Sequence, residues 1–462
     1  MAHPYMPNST DDARATMLRA LGVDDVETLF EQIPPGHRLA RPIGLPAGIR
    51  SEAVLDRHMR SLLRRNSSTA DTLNFLGAGL WQHHVPAVCD EIAGRSEFLT
   101  PVWGTPSSDV GRNQAWFEYA SQLGELVGME FVGLPVYSWG AAAGHAVRMA
   151  ARMTGRSEVV VAGPMDPERL AVLRTYCGPA DMPRSLRVRP VGWSAETGRA
   201  DLDRLRAAIG PDTAAVYFEN PNFLGVLEAG APEIAALARA AGAETVVGVD
   251  PISLGLIAPP SRYGADIAVG TTQPLGVHLH AGGGVGGFIA TRDEERYARE
   301  YPTLQVSLAG TTRPGERAFG MTLFHQTSYG SREDGNDWTG NSVYLWAVVN
   351  AVYMALMGPQ GFAEIGATIV ANSGWAASRL ATVTGVRVLW GGFFKEFVVD
   401  FGATGRTVAE INASLRAAGI FGGKDLSRDF PELGQSALYC VTEVHTEEDI
   451  DALVSALKEA VA

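Results

Sequence analysis

Thr245-Val-Val-Gly-Val-Asp250 is a short apolar run, rich in β-branched residues, that ends on a carboxylate and is followed by Pro251. A run without polar alternation reads as a strand buried on both faces, as in a parallel sheet covered by helices. Outward from it, Glu158–Gly163, Ala214–Glu219 and Ile267–Gly270 have the same character. Helical stretches lie between these runs: Ala141–Met153, Pro167–Tyr176, Leu202–Ile209 and Pro232–Ala241. Apolar strands alternating with helices specify an α/β region with a mostly parallel sheet.

The two ends read differently. Residues 1–66 form a helical arm too thin to be a domain. Ser9-Thr10-Asp11-Asp12 opens one helix and Gly22 closes it; a short one follows through Leu29-Phe30, and a third runs over Ser51–Arg65. Such an arm is expected to wrap another surface. Residues 67–340 are the large α/β domain. Residues 341–462 are a smaller α+β domain, with helices at Ser342–Met357, Phe362–Thr382 and Glu447–Ala460 around strands at Val386–Leu389, Phe397–Phe401 and Ala437–Thr442. Thr446-Glu447-Glu448-Asp449 caps the last helix.

Of 462 residues, 46% are hydrophobic and 19% charged, enough apolar content for a large core and too little charge for long disordered tails. A formal net charge of -13 argues against nucleic acid or an anionic membrane as partner. Cys89, Cys177 and Cys440 form no CxxC motif and no even set, which fits a reducing cytoplasm. Met1–Thr10 carries no signal-peptide pattern, and no apolar run is long enough to span a bilayer.

Lysine is the informative residue. Only Lys395, Lys424 and Lys458 occur among 38 basic residues. Chemistry needing a lysine amine within the first 394 residues is therefore excluded. Lys395 precedes a predicted strand and is expected to make a structural ion pair with a neighbouring acid.

Asp250 is the first candidate site residue. Ligands of open α/β sheets sit at the carboxyl ends of strands, and an acid there can meet a cationic nitrogen such as a protonated pyridine ring. It can equally cap the turn at Pro251. Gln273-Pro-Leu-Gly-Val-His-Leu-His280 then leads into Ala281-Gly-Gly-Gly-Val-Gly-Gly287. Those glycines permit a close backbone approach or a tight turn into the strand Phe288-Ile-Ala290, and they match neither a Walker loop nor a dinucleotide fingerprint. Ser138-Trp139-Gly140-Ala141 precedes a helix whose N-terminus could bind an anion, although packing explains the small residues as well. His83-His84, His278 and His280 lack a carboxylate at usable spacing, so no metal is expected.

Longer strings go beyond these patterns. Phe75-Leu-Gly-Ala-Gly79, His83-His84-Val-Pro-Ala87, Arg95-Ser-Glu-Phe-Leu-Thr100, Pro221-Asn-Phe223, Val249-Asp-Pro-Ile-Ser-Leu-Gly255, Gln273-Pro-Leu-Gly276, Phe394-Lys-Glu-Phe397 and Thr442-Glu443 occur in order. Together they closely resemble subunit 1 of glycine dehydrogenase (decarboxylating), the α subunit of the two-subunit P-protein. The resemblance implies the aspartate-aminotransferase-like fold of pyridoxal-phosphate enzymes. It also implies an α2β2 assembly with a homologous second subunit that bears the Schiff-base lysine, and a lipoyl carrier protein as partner.

Where that lysine would fall, this chain has Thr271-Thr-Gln-Pro274, with Gln273 or Pro274 at the matching place. Neither side chain can form an aldimine, so the cofactor is expected on the partner and not covalently on this chain. Asp250, Gln273 and Ser138 remain its candidate cofactor contacts, and the cleft is expected to offer no primary amine.

Three segments depart from the family: residues 101–113, Tyr137-Ser-Trp-Gly-Ala-Ala142 in place of the usual Tyr-Asp-Gly-Ala-Thr-Ala, and residues 334–342. These departures leave open a repurposed relative acting on another amine, or a non-catalytic scaffold.

Overall fold

The computed structural model describes residues 5–39, 41, 43–98, 106–180, 184–280, 285–322, 331–332, 335–336, 338–339 and 342–462. It divides into two units, Met1–Ser67 and Ser68–Ala462.

In the first unit, Thr10 accepts the amide of Ala13 to start the helix Asp11–Leu21, and Gly22 ends it in the left-handed region at φ 71°. The predicted short helix is a 3-10 turn, Val26–Phe30. The second α-helix spans Glu52–Leu63. Neither α-helix has a buried side chain. Val54, Leu55, Met59, Leu62 and Leu63 are all exposed, so the apolar residues of the second helix enclose no core of their own.

In the second unit the central sheet has seven strands: β1 (Phe131–Val132), β2 (Glu158–Ala162), β3 (Arg187–Val191), β4 (Thr213–Glu219), β5 (Glu244–Val249), β6 (Ile267–Thr271) and β7 (Gly287–Thr291). Their spatial order is β1-β7-β6-β5-β4-β2-β3. β3, β2, β4, β5 and β6 pair in parallel, while β7 runs antiparallel to both β6 and β1. Every residue of β2 and of β4 to β7 is buried, as continuous apolar runs require when helices cover both faces. β3 carries Pro190 and mostly exposed or half-buried residues, which suits an edge strand.

A four-stranded antiparallel sheet completes the unit. It comprises β8 (Arg387–Val388), β9 (Glu396–Asp400), β10 (Lys424–Asp425) and β11 (Ser436–Cys440), in the order β8-β9-β11-β10. The two helices expected around residue 360 form one long element, Tyr344–Leu380, interrupted only at Gly358 (φ 57°, ψ -179°) before Pro359. The last helix, Glu447–Val461, starts with a reciprocal capping box between Thr446 and Asp449.

Of the divergent segment 101–113, residues 101–105 lie outside the described residues, and the remainder opens a helix, Pro106–Val127, that the sequence pattern had not suggested. Residues 281–284 of the glycine run lie outside as well, as do 334, 337, 340 and 341. Gly287 does open the expected buried strand, and its backbone packs so closely on the chain itself that a Cβ there would lie 2.1 Å from the Ser138 carbonyl oxygen. Among the described residues no helix is long and apolar enough to cross a membrane.

Candidate functional site

Asp250 follows the last residue of β5, and its Oδ1 accepts the Ile252 amide at 3.1 Å, shaping the turn Pro251–Gly255. Its other oxygen, Oδ2, accepts no hydrogen bond among the described residues and faces a cation instead. Lys395 immediately precedes β9, so the smaller sheet delivers its side chain to the carboxyl edge of the large one. Lys395 Nζ lies 2.8 Å from Asp250 Oδ2, with the two side chains only 3% and 4% exposed. The same ammonium sits 3.5 Å from the centre of the Trp81 ring. The cleft therefore does hold a primary amine, contrary to what the lysine distribution implied. Proximity to Asp250 depends on tertiary folding, which spacing along the chain does not reveal.

The amine has a third neighbour, His83 Nε2 at 3.0 Å. On the far side of the ring, His83 Nδ1 is 2.8 Å from Glu443 Oε2. An ammonium can only donate, so Nε2 accepts and Nδ1–H donates to Glu443, which assigns the tautomer from the network. Burial pushes the Glu443 carboxyl up, but the hydrogen bonds it accepts from the His83 ring and the His84 amide pull it the other way, below its ordinary range. Asp250, Lys395, His83 and Glu443 thus form one line, buried up to the half-buried Glu443, from the large sheet to the residues following β11.

Glu396, next to Lys395, is also buried. Its Oε1 accepts the Ala78 amide at 2.6 Å. Burial dominates its titration and raises the carboxyl to about 7, against the opposing pull of Lys395 and the Ala78 amide. Gly225 (φ 85°) backs onto this segment so closely that a Cβ would lie 1.9 Å from the Glu396 carbonyl oxygen.

Arg169, from the helix Pro167–Cys177, forms the wall of the cleft. It makes two bonds to Glu219, at 2.9 and 2.8 Å, and one to Asp166 at 3.0 Å. Its guanidinium carbon lies 4.1 Å from the centre of the Trp139 ring, and Trp139 meets Trp81 edge-on at 6.1 Å. Outside this wall is a cavity of about 550 Å³ bordered also by Gly77, Gln273 and His280. A space of only about 10 Å³ adjoins Asp250 and Lys395, and Trp81, Trp139 and Arg169 line both. The inner space has room for about one water molecule.

The remaining candidates stand apart from Asp250. Ser138 Oγ accepts the Ala141 amide at 3.2 Å and so caps the helix Trp139–Thr154. Gln273 is buried and lines the outer cavity; its Nε2 donates to the Val277 carbonyl at 2.7 Å, and its Oε1 has no hydrogen-bond partner among the described residues. His278 turns to Asp90 at 3.0 Å, and His280 packs against Trp346. No group of three His, Cys, Asp or Glu able to hold a metal occurs among the described residues.

The sheet order, with a single antiparallel strand, and a carboxylate at the end of β5 define a protein of the aspartate-aminotransferase-like fold, the type I fold of pyridoxal-phosphate enzymes. Two solved structures share it at low identity: a sphingosine-1-phosphate lyase from Burkholderia pseudomallei (16% identical, TM-score 0.65, 93% of this chain and 94% of that one) and a NifS-like protein (13%, 0.62, 84% and 98%). A much nearer structure is that of a glycine decarboxylase (P-protein) of the glycine cleavage system in inhibitor-bound form, 33% identical with a TM-score of 0.87 over 99% of this chain and 100% of that one. The model of the glycine cleavage system P-protein family matches residues 3–457. The chain belongs to that family. Relatives described as "Probable glycine dehydrogenase (decarboxylating) subunit 1" include those of Staphylothermus marinus, 35% identical over 100% of this chain and 98% of its own length, and Carboxydothermus hydrogenoformans, 37% identical over 98% and 99%.

The fold family implies pyridoxal phosphate, and the residues of this cleft do not fit it. Asp250 is already paired with a cation of the chain itself, the space beside it takes a water rather than a ring, and residues 271–274 supply no amine.

Proposed function

We propose that this chain is the subunit of a two-subunit glycine decarboxylase that carries no Schiff-base lysine, acting with a homologous partner to which pyridoxal phosphate is bound. The observation that carries this reading is Thr271-Thr-Gln-Pro274 at the end of β6, without an amine, in a chain that matches the P-protein family over nearly its whole length. The cofactor's ring supplies an electron sink for decarboxylation in the partner. This chain contributes surface and shape. The exposed apolar side chains of Glu52–Leu63 supply contact area for a partner, consistent with an α2β2 assembly, and a lipoyl carrier protein accepts the product carbon unit. Its negative charge and three free buried cysteines suit the cytoplasm.

A second reading, that of a relative acting on another amine, is favoured by Trp139, a bulky addition to the segment that resembles the family's Tyr-Asp-Gly-Ala-Thr-Ala, whose indole lines the outer cavity.

Co-expression with the lysine-bearing homologue, co-purification and a glycine–bicarbonate exchange assay test the proposal. The pair is expected to exchange carbon, while the chain alone shows neither exchange nor cofactor absorbance. A borohydride-reducible cofactor adduct on the isolated chain overturns the proposal. Exchange with a different amino acid and none with glycine favours the second reading.

A further inference from the structure

We infer that Lys395 is the resident cation of the ancestral cofactor cleft: its ammonium takes the place opposite Asp250 that a ring cation would need, so the chain excludes the cofactor by filling the site itself. This deepens the proposal above, and rests on its reading of the cleft as cofactor-type, by replacing a simple lack of an anchoring lysine with an occupied site.

Three independent contacts specify an ammonium here. Asp250 supplies charge at 2.8 Å, Trp81 presents its ring face at 3.5 Å, and His83 offers an acceptor nitrogen at 3.0 Å. A carboxylate, a π face and a neutral imidazole acceptor are what a buried primary ammonium requires. His83 is held in that accepting orientation by Glu443, so the arrangement is built rather than incidental. The wall of Trp81, Trp139 and Arg169 leaves about 10 Å³ beside the pair, too little for a cofactor ring. An aliphatic side chain carrying one ammonium therefore closes the electrostatics of a site whose other parts persist.

The test is chemical rescue in the full chain, followed by thermal unfolding. K395A is expected to melt several degrees below the parent and to be restored, saturably, by n-propylammonium chloride. Sodium chloride at equal ionic strength and n-propanol are expected to leave it unrestored. The parent and the D250N/K395A double variant are expected to gain nothing from propylammonium. Should K395A fail to accumulate, K395M, D250N and D250N/K395M carry the test: the double variant is expected to be more stable than either single one.

Additive losses in that set, or equal rescue of K395A and D250N/K395A, overturn the inference. So does binding of pyridoxamine 5′-phosphate to the parent chain that D250N abolishes. No readout involves glycine, so an inactive subunit pair with intact rescue would sink the functional proposal and leave this inference standing.

Discussion

His83 donates from Nδ1 to Glu443 across 2.8 Å, joining residues 360 positions apart in the chain. The bond ties the segment that enters the cleft to the end of the smaller sheet, and the acid side of the stability profile depends on it. The Glu443 carboxyl is held below its ordinary 4.5 by the hydrogen bonds it accepts. A depressed carboxyl contributes stability that is complete above pH 4.5 and lost as the pH falls below it. E443Q is expected to lower the unfolding free energy at pH 7 and to flatten its fall between pH 5 and 3, measured by urea titration at each pH.

Glu396 has the opposite sign. Its carboxyl is raised from 4.5 to about 7, so its contribution is intact below pH 4.5 and disappears as the pH climbs through 7. E396Q keeps an oxygen for the Ala78 amide and removes the charge. The variant is expected to gain roughly 1–3 kcal/mol over the parent at pH 8 and almost nothing at pH 5. A uniform change at both pH values in paired denaturant titrations contradicts this assignment.

Gly225 sits where no other L-residue fits. Its φ of 85° already disfavours a side chain, and the Glu396 carbonyl stands 1.9 Å from the Cβ position. G225A is expected to cost more than about 3 kcal/mol, as a backbone conformation and a core contact are broken together. Differential scanning calorimetry should show a clearly lowered Tm, or the variant should fail to accumulate as soluble protein.

Supplying the missing lysine is not sufficient. Q273K places an amine at the end of β6, yet Asp250 remains engaged by Lys395 and the inner space remains about the size of one water. The variant is expected to give no borohydride-reducible cofactor adduct at residue 273 by mass spectrometry after incubation with pyridoxal phosphate.

The strands were legible because they are continuous β-branched runs: Thr245–Asp250 became β5 almost to the residue, and Asp250 stands at the strand's carboxyl end as expected. Lys395 was legible as an ion-pair former, but its partner was not, because their contact is created only when the smaller sheet packs onto the large one. His83 was visible as half of a His-His pair inside one family string and Glu443 as the end of another, with nothing to join them. The helix Pro106–Val127 was obscured by Pro106, two serines and Gly111 at its start. Its buried face, Trp116, Tyr119, Leu123 and Val127, nevertheless follows helical spacing and was the usable signal. The hairpin of Gln305–Gly310 and Arg317–Thr322 also went unread, although Pro314-Gly315 marks its turn.

The two tryptophans and Arg169 that separate the inner space from the mouth have an evolutionary corollary. Regaining catalysis within a single polypeptide would demand a new amine, eviction of the old one and a reopened partition, all at once. Each step taken singly strands a charge or a void in the interior, so selection has no gradual path back. On the proposed division of labour between two chains, the packing of this one holds the arrangement in place.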